Sequence, residues 1–142
     1  MKWWVVLLIG AAIVLGSGMS SLEKIVEKIA LAIKEFEGWK VGSRSYRNNN
    51  PGNLKSAGQI GLVGIDETGH AIFDSLTSGW NALKNQIRIA IIGKSYVYTP
   101  SDSLYEFFSK YSEANSAQYA QFVASKLGVV PETKLSELEG LL

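Results

Sequence analysis

The sequence predicts an α+β fold in which several helices surround one small β-hairpin, leaving a cleft between hairpin and helical body. Three observations carry that expectation. Apolar residues recur at helical spacing in four stretches, residues 21–37, 79–92, 104–110 and 117–127. Residues 59–74 instead form two short β-rich runs on either side of the turn sequence Asp66-Glu67-Thr68-Gly69. Between the first helix and the hairpin lies Arg47-Asn48-Asn49-Asn50-Pro51-Gly52-Asn53-Leu54. In that run asparagine tolerates unusual backbone angles, Pro51 fixes its own and Gly52 permits positive φ, so the turn should be rigid.

Ahead of the helices, residues 1–18 carry one basic residue, Lys2, then an apolar run from Trp3 to Leu15 and a few small residues. This is the pattern of a secretory signal peptide with cleavage after Gly18. The run is shorter than the roughly 20 residues of a spanning helix. A weakly hydrophobic signal anchor is the second reading, because Gly10, Ala11, Ala12 and Gly16 dilute the run. Under both readings residues 19–142 are exported across the inner membrane to the periplasm or cell wall, cleaved free or still tethered.

With 142 residues, 46% of them hydrophobic and 19% charged, the chain suffices for one domain with a modest core. Its formal net charge of +1 gives no basic surface for nucleic acid. There is no cysteine to form a disulfide, and the single histidine, His70, excludes a histidine cluster for a metal. No cofactor is expected, and the domain is read as a monomer.

In the first helix Leu22, Ile25, Val26, Ile29, Ile33 and Phe36 share one stripe, with Lys24, Glu27, Lys28 and Lys34 away from it. Ser20 or Ser21 suits its N-cap and Gly38 a left-handed C-cap. Glu37 lies about 70° from the centre of the stripe and Glu35 about 130°, so Glu37 should border the core while Glu35 faces water. A carboxyl there sits at the negative end of the helix dipole and is partly buried, a setting that suits a general acid. A plain boundary glutamate is the bland alternative. The amides of the following turn can bind sugar hydroxyls or N-acetyl groups, or simply satisfy their own backbone.

Ile60, Leu62, Val63 and Ile65 should form one strand of the hairpin and Ala71, Ile72 and Phe73 the other. Asp66 and Glu67 read as solvated turn residues and Asp74 as a capping or supporting one, so no second catalytic carboxylate is assigned. Trp80, Leu83, Ile87, Ala90 and Ile91 keep helical spacing up to Gly93; Trp80 can stack on a sugar ring or pack in the core. Thr99-Pro100-Ser101-Asp102 is expected to cap the next helix, with Leu104, Phe107, Phe108 and Tyr111 on its apolar side. A last long helix ends at Gly128, and Leu135 and Leu138 should dock a short terminal one.

The run Phe36-Glu37-Gly38-Trp39, a polar spacer, then Arg47–Leu54 and the later Ser75–Leu83 stretch, SLTSGWNAL, resemble lysozyme-like domains related to soluble lytic transglycosylases, many of them from phages. The resemblance covers roughly residues 25–138, and NNNPGNL is its most specific part. The glutamate-serine pair and the glycine-leucine-methionine-glutamine run of many soluble lytic transglycosylases are not present. The resemblance implies a lysozyme-like fold whose catalytic acid, a glutamate ending a helix just before a small hairpin, matches Glu37. It implies peptidoglycan glycan strands as the partner, cleaved between N-acetylmuramic acid and N-acetylglucosamine by lytic transglycosylation. Hydrolysis of the lysozyme type, as in phage endolysins, and a non-catalytic binding module are the alternatives. Asn49, Asn50, Asn53, Leu54, Phe73 and Trp80 are expected along the groove. Tyr111, Asn115 and Tyr119 join them because their spacing resembles a tyrosine-asparagine-tyrosine pattern lining the groove of such domains.

Overall fold

The computed structural model describes residues 18–142, so the expected signal or anchor segment lies almost wholly outside the described residues. Within them the architecture is α+β, six helices and a two-stranded antiparallel sheet, about 52% helical. The body is therefore helical and the sheet an attachment to it.

Helix α1, Ser21–Phe36, begins where the Ser20 side chain accepts the Glu23 N–H. Its buried face, Ile25, Val26, Ile29, Ala30, Ala32 and Ile33, is the stripe read from the sequence. Each of its large aliphatics contributes about 1.5–3 kcal/mol by burial. This face packs on α3, Leu76–Ile92, and α5, Ser116–Leu127. A forked ion pair, Arg88 Nε and Nη2 to Glu23 at 2.6 and 2.8 Å, fastens α1 to α3. Glu37 itself occupies the C-cap, its N–H donating to Ile33 O. Gly38, one residue on, turns the chain with φ +75°.

A four-residue helix, α2 (Arg44–Arg47), follows, with Ser43 as its cap; it is too short to show a periodicity in the sequence. The asparagine turn then leads to strands β1, Leu62–Ile65, and β2, Ala71–Phe73, paired with a bulge between Leu62 and Gly64. Ile60 lies before the strand and is 94% exposed, and Val63 and Ile65 also face outward, so only Leu62 of that expected apolar set packs on the core. A further antiparallel bridge, Lys55 to His70, ties the end of the asparagine turn to the hairpin.

Helix α3 starts three residues before the expected Gly79, because Ser75 rather than a later residue caps it, and Gly93 ends it at φ +81°. Gly79 sits where α3 presses on the asparagine turn. An added Cβ there would stand 1.7 Å from Asn49 O. Helix α4, Leu104–Tyr111, is capped by a Ser103–Glu106 capping box and not by the preceding loop. Asp102 instead accepts the Thr99 N–H and hydroxyl and pairs with Lys110 at 2.8 Å. After α5, a 3-10 turn, Leu135–Glu137, and α6, Leu138–Leu141, bury Leu135 and Leu138 as expected.

Candidate active site

Glu37 is half-buried where α1 meets the asparagine turn, and both of its carboxylate oxygens are held. Asn53 Nδ2 donates to Oε1 at 2.8 Å and the Tyr119 hydroxyl donates to Oε2 at 2.7 Å. Tyr119, 1% exposed, is itself clamped by ring stacking on Phe36 at 4.0 Å and Phe108 at 4.4 Å between centroids. Burial above all, with Tyr111 and Glu37 nearby, pushes the Tyr119 hydroxyl far above its ordinary range, so it stays protonated and donates. Asn53 reaches Glu37 because its backbone is left-handed, φ +48°, a conformation asparagine adopts more readily than most residues. Its Oδ1 is buried and has no hydrogen-bond partner among the described residues.

The other amides of the run hold the turn to the hairpin. Asn48 Nδ2 donates to Asp66 Oδ2 and Asn49 Nδ2 to Phe73 O. Asn50, 0% exposed, gives its Nδ2 to Leu54 O and Ala71 O and receives the Leu54 N–H on Oδ1. Asn49 and Asn50 were expected along the groove; the correction is that both amides are committed to backbone, because a turn this tight leaves buried carbonyls that need donors. Phe73, 1% exposed, is likewise a core residue, and Leu54, 4% exposed, only reaches the cleft with its edge.

A cleft of about 500 Å³ opens beside Glu37, walled by Asn53, Lys55, His70, Gln86, Tyr98 and Tyr111. A second hollow of about 680 Å³ along α3 borders it at Ala57 and Gln86 and carries the amides Gln59, Asn81 and Asn85. Tyr111 supports the turn from below, its hydroxyl donating to Gly52 O at 2.7 Å. Trp80 lies outside the cleft, packed against the core with Lys34 and Lys84 each 5.8 Å from its ring. Asn115 is exposed at the head of α5 with φ +57° and does not line the cleft either. The structure therefore brings Glu37, Asn53, Tyr111 and Tyr119 together and leaves Trp80 and Asn115 apart.

Asp66 is not the solvated turn residue expected. Its Oδ1 accepts the Thr68 and His70 N–H groups and the Thr68 hydroxyl, while Oδ2 faces Asn48. Burial acts to raise its pKa, but the hydrogen bonds from Thr68, His70 and Asn48 outweigh it and hold the carboxyl far below its ordinary 3.8. Glu67 and Asp74 are exposed. Among the described residues the carboxylates lining the cleft are Glu37 and, at its rim, Glu113, 3.8 Å from Lys55.

Arg44 is a cleft residue that the sequence reading missed, and His70 is its support. Arg44 Nη1 stands 3.1 Å from His70 Nε2. Burial lowers the His70 pKa, and Arg44 and Lys55 lower it further against the weaker pull of Asp66 and Glu37, so the ring is held neutral. The only signal in the sequence was the spacing of Asp66, Thr68 and His70 around a tight turn.

Compared with protein-family models, with curated proteins and with solved structures, the chain finds no match in any of the three.

Proposed function

We propose that this protein cleaves the glycan strands of peptidoglycan between N-acetylmuramic acid and N-acetylglucosamine as a lytic transglycosylase of lysozyme-like fold, with Glu37 as its acid and base. The observation that carries the reading is the grip on the Glu37 carboxyl by Asn53 and Tyr119 at the wall of the cleft. The resemblance of the Glu37 and asparagine-turn segments to such domains supports it, and export would deliver the domain to the cell wall.

In this reading the protonated Glu37 gives its hydrogen to the glycosidic oxygen, which leaves as the 4-hydroxyl of N-acetylglucosamine. The resulting carboxylate takes the proton of the muramic 6-hydroxyl as that oxygen bonds to C1, closing a 1,6-anhydro ring. Asn53 and Tyr119 receive the charge that appears on Glu37 in the first step and fix the direction in which it acts. Hydrolysis of the usual kind would place a second carboxylate about 5–10 Å across the bond. Asp66 is bound up in the hairpin turn, Glu67 and Asp74 face solvent away from the cleft lining, and Glu113, the other carboxylate at the cleft among the described residues, sits exposed at its rim beside Lys55, which favours the sugar's own hydroxyl as nucleophile.

The test is incubation of the full chain and of Glu37→Gln with purified peptidoglycan, followed by mass spectrometry of the soluble fragments. Anhydro ends from the unaltered chain alone are expected. Fragments heavier by one water would make it a hydrolase, and binding without release from either protein would make it a binding module.

A further inference from the structure

Three cations line the cleft, and two of them have acidic partners. Lys55 stands 3.8 Å from Glu113 and Lys110 2.8 Å from Asp102, whereas Arg44 has no acidic partner among the described residues. What holds Arg44 is the His70 ring, backed by Thr68 and the Asp66 carboxylate. Thr68 gives its hydroxyl hydrogen to Asp66 Oδ1 at 2.7 Å. Its oxygen, 2.6 Å from His70 Nδ1, is thus the acceptor of the ring N–H, and Arg44 Nη1 lies against the neutral ring, 3.1 Å from Nε2 and 3.4 Å from Nδ1. Asp66 is fixed in turn by Asn48 and by two backbone N–H groups. These ring contacts are made by Nη1, and the exposed remainder of the guanidinium lies on the same cleft as Glu37.

We propose that Arg44, propped by His70, forms an anion subsite that takes a carboxylate carried by the glycan next to the bond being cut. This rests on the reading of the cleft as a glycan site. Every second sugar of a wall strand bears a lactyl ether that ends in a carboxylate or continues into a peptide stem with carboxylates of its own. A strand of N-acetylglucosamine alone has the same β-1,4 backbone and no carboxylate. The planar guanidinium fork matches a carboxylate with two parallel hydrogen bonds, which a lysine ammonium does not reproduce. Arg44 is therefore a specificity-determining residue, selecting muramic strands over chitin-type strands that the amides of the groove would otherwise accept.

The test measures binding, separately from turnover, using the full chain carrying Glu37→Gln. Its titrants are a muramyl tetrasaccharide with free lactyl carboxylates, the same sugar with those carboxylates amidated, chitotetraose, and sodium lactate. We expect the charged tetrasaccharide to bind about 10-fold or more tightly than the amidated one, a preference that Arg44→Gln abolishes and Arg44→Lys restores only in part. Chitotetraose affinity should be the same with and without the Arg44 change. Equal loss of both glycans in Arg44→Gln, or no loss of either, overturns the subsite while leaving glycan cleavage standing. Lactate binding as tightly as the charged tetrasaccharide overturns the glycan-borne source in favour of a free carboxylate. Absence of binding to any glycan overturns this proposal and the cleavage reading together. Arg44 is exposed, and thermal unfolding of each variant checks that folding is retained.

Discussion

The Tyr119 hydroxyl reaches the Glu37 carboxylate, 82 positions earlier in the chain, with a hydrogen bond of 2.7 Å. Tyr119→Phe keeps the ring between Phe36 and Phe108 and deletes only that donor. Stability should fall by about 1 kcal/mol, because the freed carboxylate oxygen can turn to water at the cleft. Release of glycan fragments should fall about 10- to 100-fold, as expected for one hydrogen bond to a charged group. Unfolding midpoints and fragment release measured on the same preparation check both figures; unchanged release would remove Tyr119 from the machinery.

Asn53 combines a backbone role with a side-chain role, and two substitutions separate them. Asn53→Gly retains the left-handed backbone and loses the donor to Glu37. Asn53→Ala loses the donor and adds about 1–2 kcal/mol of backbone strain. Both should cut more slowly by a similar factor of about 10, while Asn53→Ala unfolds earlier in denaturant than Asn53→Gly. Equal stability of the two variants would show that the turn can relax.

Gly79 is where helix α3 and the asparagine turn touch backbone to backbone. Since an added Cβ would meet Asn49 O at 1.7 Å, Gly79→Ala must push the helix or the turn outward. The expected cost is about 3 kcal/mol or more, at or above the upper end of ordinary overpacking. Denaturant unfolding measures it, and a variant as stable as the parent would mean that the two elements are less tightly apposed than described.

Acid should destabilise the fold in two separate windows. His70 has a folded pKa below its ordinary 6.5, so the unfolded chain binds a proton that the folded ring resists. Stability is then lost as pH falls from 6.5 toward the folded value. Asp66, depressed below 3.8, contributes stability that is intact above 3.8 and is lost as pH falls further. Unfolding midpoints of the parent and of His70→Gln, followed from about pH 8 to about pH 3, should differ in slope only across the upper window. Parallel curves there would sink the assignment of that window to His70.

Much of this architecture was legible from residue types. The stripe of α1, its Ser20 cap, the left-handed Gly38 and Gly93, the turn at Asp66–Gly69 and the border position of Glu37 all follow from short-range rules, and the structure shows each of them. What was not legible depends on partners distant in the chain. Asn50 and Asn53 have the same side chain three residues apart, yet one is buried against Leu54 and Ala71 and the other faces Glu37. Asp66 looked like any turn acid until Asn48 was placed on its outer oxygen. Arg44 sits on a helix of four residues, below the length at which periodicity speaks.

The grip of Tyr119 on Glu37 also sets an order in time. Helix α1, the asparagine turn and the hairpin are neighbours in the chain and can form while it is still being made, but the residue that completes the carboxyl's setting lies on α5. A newly synthesised or locally unfolded chain therefore carries Glu37 without its orienting hydroxyl until α5 has docked. On the proposed function, a copy at that stage would cut glycan poorly, as Tyr119→Phe is expected to.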